Sequence, residues 1–217
     1  MGNHLPSILL ARSALAGEAC YTSDFFSSET LYVKMRTLEH RAILSDIDFS
    51  DVLPDSKVKA AASVLDFPGL SGKAVFDRHT ELAAVAAQTE LAAAKSCMKI
   101  RLTAGALPDR ESAAQKTIHG GVEPYTVIAW WEDDLCVIRT SSIFTAECRA
   151  WAAKVLNLPE EKLRVCAPMI GGFEGKGNHY CREALCALLA KQSGCPVRYE
   201  LTRKQAWAAL EESYDMY

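Results

Sequence analysis

Gly171-Gly172-Phe173-Glu174-Gly175-Lys176 is where residue types and spacing could do chemistry. Glycines reach backbone angles closed to other residues and let the main chain approach a ligand closely. The loop stands between a strand reading over Lys162–Ala167 and a helix reading that opens on Asn178 as N-cap. Free amides at such a helix start attract anions such as phosphate. The spacing is not Gly-x-x-x-x-Gly-Lys-Ser/Thr, since Gly177 follows Lys176, nor is it Gly-x-Gly-x-x-Gly. A turn that merely joins strand to helix accounts for the glycines equally well. The remaining polar candidates are sparser. Glu123, before Pro124, reads as a fold-holding hydrogen-bond acceptor ahead of a cavity-lining acid. His119 and His179 have no partners at ligand spacing and read as surface or capping residues. Trp130 and Trp131 are adjacent, so on a strand they face opposite ways, one into the core and one toward a partner. Arg203 reads as a surface ion-pair former.

These residues need elements to position them. Leu31–Arg36, Ala42–Leu44, Val58–Leu65 and Lys99–Leu102 read as strands. Asp48–Pro54 reads as a short helix ending at a proline turn. Thr80–Met98 supports two readings: one long helix, from its alanine content, or a strand Leu82–Ala87 followed by a helix capped at Thr89. Tyr125–Trp130 and Leu135–Arg139 make a hairpin around Glu132-Asp133-Asp134. Thr145–Leu156 is helical, with Cys148, Trp151, Val155 and Leu158 on one stripe. The helix after the glycine loop runs to Gln192 and stops at Gly194. Val197–Leu201 is a strand, and Thr202 with Gln205 forms a capping box for the last helix. The fold class is α+β with mixed sheets, divided near Pro108.

Composition narrows the function classes. The 217 residues carry 24 basic and 27 acidic side chains, a net charge of −3, which gives no electrostatic case for nucleic acid. No apolar run approaches the ~20 residues of a membrane helix. The N-terminus lacks a basic n-region, so no signal peptide is read. Eight cysteines include no Cys-x-x-Cys, and the nearest pair, Cys181 and Cys186, is five apart. They read as reduced thiols packed as small hydrophobes in a cytoplasmic protein, with no metal ligand set.

The stretch Leu163-Arg164-Val165-Cys166-Ala167-Pro168 running into Gly171-Gly172-Phe173-Glu174-Gly175-Lys176 resembles the "VRV-x-AP-x-VGGGFGGK" of the molybdenum hydroxylases, the xanthine dehydrogenase and aldehyde oxidase family. The resemblance extends to Leu15–Asp24, Leu31–Asp48 with His40, Ala42 and Ile43 in place, Val58–Gly69, His119–Pro124 and Leu185–Arg203, in the family's order. It implies an α/β hammerhead domain over residues 10–108 and the N-terminal part of the first molybdopterin-binding domain over 116–217. It also favours the strand–turn–helix reading of Thr80–Met98.

The family hydroxylates purines, aldehydes or N-heterocycles with oxygen from water, as an oxidoreductase whose molybdenum–pterin group accepts the electrons. They leave through iron–sulfur clusters, often to a flavin. By resemblance Gly171, Gly172, Phe173 and Gly175 are cofactor-binding positions, and no catalytic residue is carried onto this chain. The sequence departs from the pattern in four ways: one glycine fewer in the loop, Glu174 in place of a glycine, Ile143 where a glutamine is frequent, and the family's catalytic glutamate lying beyond the matched region. The resemblance therefore implies a subunit or fragment that shares a molybdopterin pocket and substrate funnel. A second molybdopterin-binding chain, an iron–sulfur subunit and in some cases a flavin subunit would complete it, with no nucleic-acid or membrane partner. The alternative is a non-catalytic interaction protein on a decayed scaffold of this family. A freestanding nucleotide-binding domain uses only the loop and leaves the other matched segments without a reason.

Overall fold

A computed structural model describes residues 12–70, 75–77, 79–108, 122–172, 176 and 181–210, with the backbone only for 207–210. Strands β1 (Leu31–Thr37), β3 (Val58–Ser63), β5 (Glu81–Ala87), β7 (Thr126–Glu132), β8 (Leu135–Thr140), β9 (Leu163–Cys166) and β10 (Val197–Glu200) form one seven-stranded sheet, ordered β3-β5-β1-β10-β7-β8-β9. β2 (Ala42–Asp48), β4 (Val75–Phe76) and β6 (Arg101–Ala106) form a three-stranded sheet ordered β4-β2-β6. The large sheet is mixed: β1 with β10 and β8 with β9 are parallel, and its other pairs are antiparallel. It crosses the sequence boundary near Pro108, because Leu31, Tyr32 and Val33 pair with Val197, Arg198 and Tyr199.

With the sheets go helices α1 (Glu90–Met98), α2 (Thr145–Leu156), α3 (Cys181–Ser193) and α4 (Arg203–Leu210), and short 3-10 turns at Thr22–Asp24, Val64–Asp66 and Glu160–Lys162. α3 lies over the middle of the large sheet, with Ala184, Leu185, Cys186, Ala187 and Leu189 all fully buried. The core it closes includes Val33, Leu82, Val127, Ile138 and Tyr199. α1 packs elsewhere on the sheet, where Ala87, Ala92 and Ala93 cluster.

β5 decides the Thr80–Met98 question. All seven of its residues are buried. Leu82, Ala84 and Ala86 belong to the α3 core, whereas Ala83 and Val85 pack with Val52, Cys97 and Ile100. A strand covered on both faces loses the usual alternation, and alanine lets neighbours approach from both sides, so packing overrides helix propensity. The helix starts as the cap reading requires: Thr89 Oγ1 accepts from the Ala92 amide at 3.2 Å.

Other boundaries shift for local reasons. Phe49–Asp55 makes hydrogen-bonded turns instead of a helix, closed by Val52 N and Leu53 N donating to the Phe49 carbonyl. β3 stops at Ser63, where Asp66 Oδ2 accepts from the Ser63 amide and hydroxyl and winds a 3-10 turn over Val64–Asp66. The β7–β8 hairpin turns at Asp133, φ 54°, as Glu132-Asp133-Asp134 predicts. Gly194 ends α3 at φ 66°, and the Thr202–Gln205 box forms in both directions. Cys97, Cys136, Cys148 and Cys186 are buried free thiols. Burial pushes Cys136 up to about 12, which makes it inert packing. No helix among the described residues is long and apolar enough to cross a membrane.

Candidate functional site

The glycine loop leaves the C-terminal end of β9, an edge strand of the large sheet. Its support comes from Glu123, three residues before β7. The Glu123 carboxylate is buried and accepts three hydrogen bonds: from the Gly171 amide at 2.7 Å, the Lys176 ammonium at 2.5 Å and the Ser141 hydroxyl at 3.1 Å. The Glu123 amide donates to the Gly171 carbonyl at 3.2 Å. Both ends of the loop therefore converge on one acid. Lys176 and Glu123 are 2% and 6% exposed, an ion pair taken out of water with its remaining oxygen satisfied by Ser141.

Gly171 must be glycine for this geometry: a Cβ would stand 2.9 Å from the Cβ of Glu123. Gly172 follows at φ 102°, a conformation that disfavours side chains. Gly171 and Gly172 are half-buried at the start of the loop. Phe173, Glu174, Gly175, Asn178, His119 and His179 lie outside the described residues. Ile143 stands beside the loop, its amide donating to the Lys176 carbonyl at 3.1 Å, with its side chain partly exposed. Arg203 reaches the same neighbourhood, donating to the Val122 carbonyl at 3.0 Å.

A second buried polar group stands where α3 begins after the loop. Glu183 Oε1 accepts from Tyr125 at 2.5 Å and Thr140 at 2.7 Å. Arg182 pairs with Glu81 at 3.1 Å and covers the Tyr125 ring at 4.4 Å. Burial raises the Glu183 carboxyl, and burial with the nearby Glu183 charge raises Tyr125 well above its ordinary value. The loop is thus held by Glu123, while Arg182 and Glu183 tie the start of α3 to β5, β8 and Tyr125.

Sequence reasoning found Glu123 and its fold-holding role. It missed the direction of Lys176, which points inward to Glu123. It also missed Ser141, Arg182 and Glu183. An Arg-Glu pair on a helix otherwise rich in buried alanine and leucine is the signal that could have found the last two.

The fold is shared with solved molybdenum enzymes. The aldehyde oxidoreductase of Desulfovibrio gigas superposes over 91% of this chain and 30% of its own, with TM-score 0.74 and 20% identity. Quinoline 2-oxidoreductase of Pseudomonas putida superposes over 90% of this chain and 34% of its own, with TM-score 0.71 and 18% identity. In sequence, 86 residues are 35% identical to the aldehyde oxidoreductase molybdenum-binding subunit PaoC of Escherichia coli, and they span 39% of this chain and 12% of that subunit. The family model of the molybdopterin cofactor-binding domain matches residues 103–217, which take in the glycine loop and its support.

The described residues fit such a cofactor as its support more than as its ligands. The Gly171 amide donates to Glu123, and the buried Lys176 ammonium donates to Glu123 and to the Gly171 carbonyl, so both serve the loop's own support. What they hold in place is the side-chain-free turn at Gly172. With more than half of its length inside that match, the chain belongs to the molybdopterin cofactor-binding domain family.

Proposed function

We propose that this chain forms one wall of the molybdopterin pocket and part of the substrate funnel of a molybdenum hydroxylase. Gly171, Gly172, Phe173 and Gly175 line the cofactor, with Gly171 acting through shape. When bound, the cofactor supplies the redox chemistry of a hydroxylation; this chain's own residues bind and orient it. In this reading residues 10–108 correspond to the α/β hammerhead and 116–217 to the start of the first molybdopterin-binding domain. A second molybdopterin-binding chain contributes the glutamate base, and an iron–sulfur subunit, with a flavin subunit in some assemblies, removes the electrons in the cytoplasm. The observation that carries the reading is the buried Glu123–Lys176 pair, which fixes both ends of the glycine loop before any ligand arrives.

The test is native purification of the tagged chain, followed by metal analysis and pterin fluorescence. A molybdenum- and pterin-bearing complex is expected, with the isolated chain carrying neither. A native complex without molybdenum overturns the reading.

One observation favours a second reading, a non-catalytic interaction protein on this scaffold. Ile143 occupies the loop's flank with a hydrocarbon side chain, so no side-chain donor faces a ligand from that position. A stable oligomer of this chain alone, purified from the native source, would select it.

A further inference from the structure

A strand at the edge of a sheet presents unpaired main-chain groups, and folds blunt such edges by shortening them or by placing charge on them. The two sheets have four edge strands, β3 and β9 in the large one and β4 and β6 in the small one. β4 spans two residues. β3 carries the exposed Lys59 and follows the exposed Lys57. β9 carries the exposed Arg164. β6 has no such protection. It runs Arg101-Leu102-Thr103-Ala104-Gly105-Ala106, and its single charge, Arg101 at the start, is already taken by Asp48 and Asp51. Thr103, Ala104, Gly105 and Ala106 are exposed, and a Cβ on Gly105 would meet nothing within 4 Å.

Main-chain direction alternates along an antiparallel strand, and two bonds fix its phase in β6. The Leu107 amide donates to the Arg41 carbonyl at 2.8 Å, and the Thr103 carbonyl accepts from the Ser45 hydroxyl at 2.8 Å. Thr103, Gly105 and Leu107 therefore turn their amides and carbonyls to β2, and Leu102, Ala104 and Ala106 turn theirs outward. The extra residue at the register shift between Leu44 and Asp46 belongs to β2, so β6 itself runs unbroken. Among the described residues β6 pairs with β2 alone.

We propose that a second copy of this chain pairs with this edge, antiparallel and twofold, with Ala104 facing its own counterpart. The outward amides and carbonyls of Leu102, Ala104 and Ala106 then close a ladder across the axis. In that register Leu102 falls opposite Ala106, Thr103 opposite Gly105 and Arg101 opposite Leu107, so no charge meets its like. Any added strand gains the main-chain bonds; the match of this strand to itself is what selects a second copy. A twofold contact uses the same patch on both chains and closes at two, so it does not grow into a fibre. β6 belongs to the small sheet and the glycine loop follows β9 in the large one, so the contact stands independently of the cofactor reading.

The experiment follows the full chain by sedimentation equilibrium as concentration is raised, with hydrogen exchange read at single amides. A dimer is expected to form, with protection appearing at the outward amides of Leu102, Ala104 and Ala106 as it does so, while the amides of Thr103 and Gly105 are protected at every concentration. Ala104→Pro removes an amide that faces away from β2, so the sheet tolerates it; it deletes two symmetry-related bonds at the axis and should weaken the dimer roughly tenfold or more. Ala104→Lys and Ala104→Glu should each abolish the dimer, and an equimolar mixture of the two should restore it, because opposite charges then face each other across the axis. Ala104 is exposed, so these charged variants keep the test alive should Ala104→Pro fail to fold. A chain monomeric up to millimolar concentration, a dimer that survives both charged variants, or a mixture that associates no better than its components would each overturn the proposal. So would protection of the outward amides in the monomer, which would give the edge to another segment of this chain.

Discussion

A lysine and a glutamate removed from water together are stable as a pair and costly as singles. Lys176 and Glu123 are such a pair, and the Gly171 amide and Ser141 hydroxyl complete the acid's shell. Lys176→Met therefore leaves a buried carboxylate without its cation and should cost about 3–5 kcal/mol in denaturant unfolding. Adding Glu123→Gln removes the stranded charge, so the double variant should recover a large part of that loss; a double variant as unstable as the single one would show that the pair is not the cause. Glu183 predicts a pH effect of defined sign. Its carboxyl is raised above the ordinary 4.5 by burial. The folded state then holds the proton more tightly than the unfolded one. Its contribution is fully present below pH 4.5 and is lost as pH rises from there to the folded value. Glu183→Gln should flatten that decline, read as melting temperature against pH, and an unaltered slope would refute the assignment. Glu123 was legible at this scale because an acid beside a proline turn and a glycine pair has backbone donors close at hand. The inward turn of Lys176 was not, because its partner lies 53 residues away and spacing carries no information about direction.

At the scale of elements, the alanine-rich β5 shows how the competing terms resolve. Propensity favours helix by a few tenths of a kcal/mol per residue, but sheet partners on both sides and cover on both faces outweigh it. The turn, hairpin and capping signals at Thr89, Asp133, Gly194 and Thr202 are local, and these elements form where the sequence places them. The 3-10 turn at Val64–Asp66 depends on one aspartate folding back on Ser63, which strand periodicity does not register. Gly69 belongs to the same class of tertiary requirements. Its amide donates to the Val155 carbonyl at 2.8 Å, and a Cβ there would meet the Lys154 carbonyl oxygen at 1.9 Å. Beside it Phe67 meets Trp151 edge to face at 6.2 Å. Gly69→Ala must push the loop away from the end of α2, an overpacking cost of about 1–3 kcal/mol. Wild-type stability in that variant would mean that the loop does not dock as described.

For the whole molecule, the relevant fact is that the sheet takes no notice of the boundary at residue 108. β1, from the first segment, is flanked by β5 and by β10, the last strand of the chain. α3 packs against β3 and β5 as well as β7 and β10, and Gly69 and Phe67 meet α2 from the first segment's side. Losing the second segment would expose the edge of β1 and the apolar face beneath α3, so neither segment retains a complete core without the other. Unfolding should accordingly be a single cooperative event for the described core. The chain supplies its own reporters: all four tryptophans, Trp130, Trp131, Trp151 and Trp207, lie after residue 122, so intrinsic fluorescence follows the second segment. Hydrogen exchange at the β5 amides follows the first. The fluorescence midpoint and the loss of β5 protection should coincide along a denaturant series, with a common slope. Two separated transitions, with β5 exposed before the tryptophans, would mean that the β1–β10 pairing is too weak to couple the halves, and that the pocket wall stands on the second segment alone.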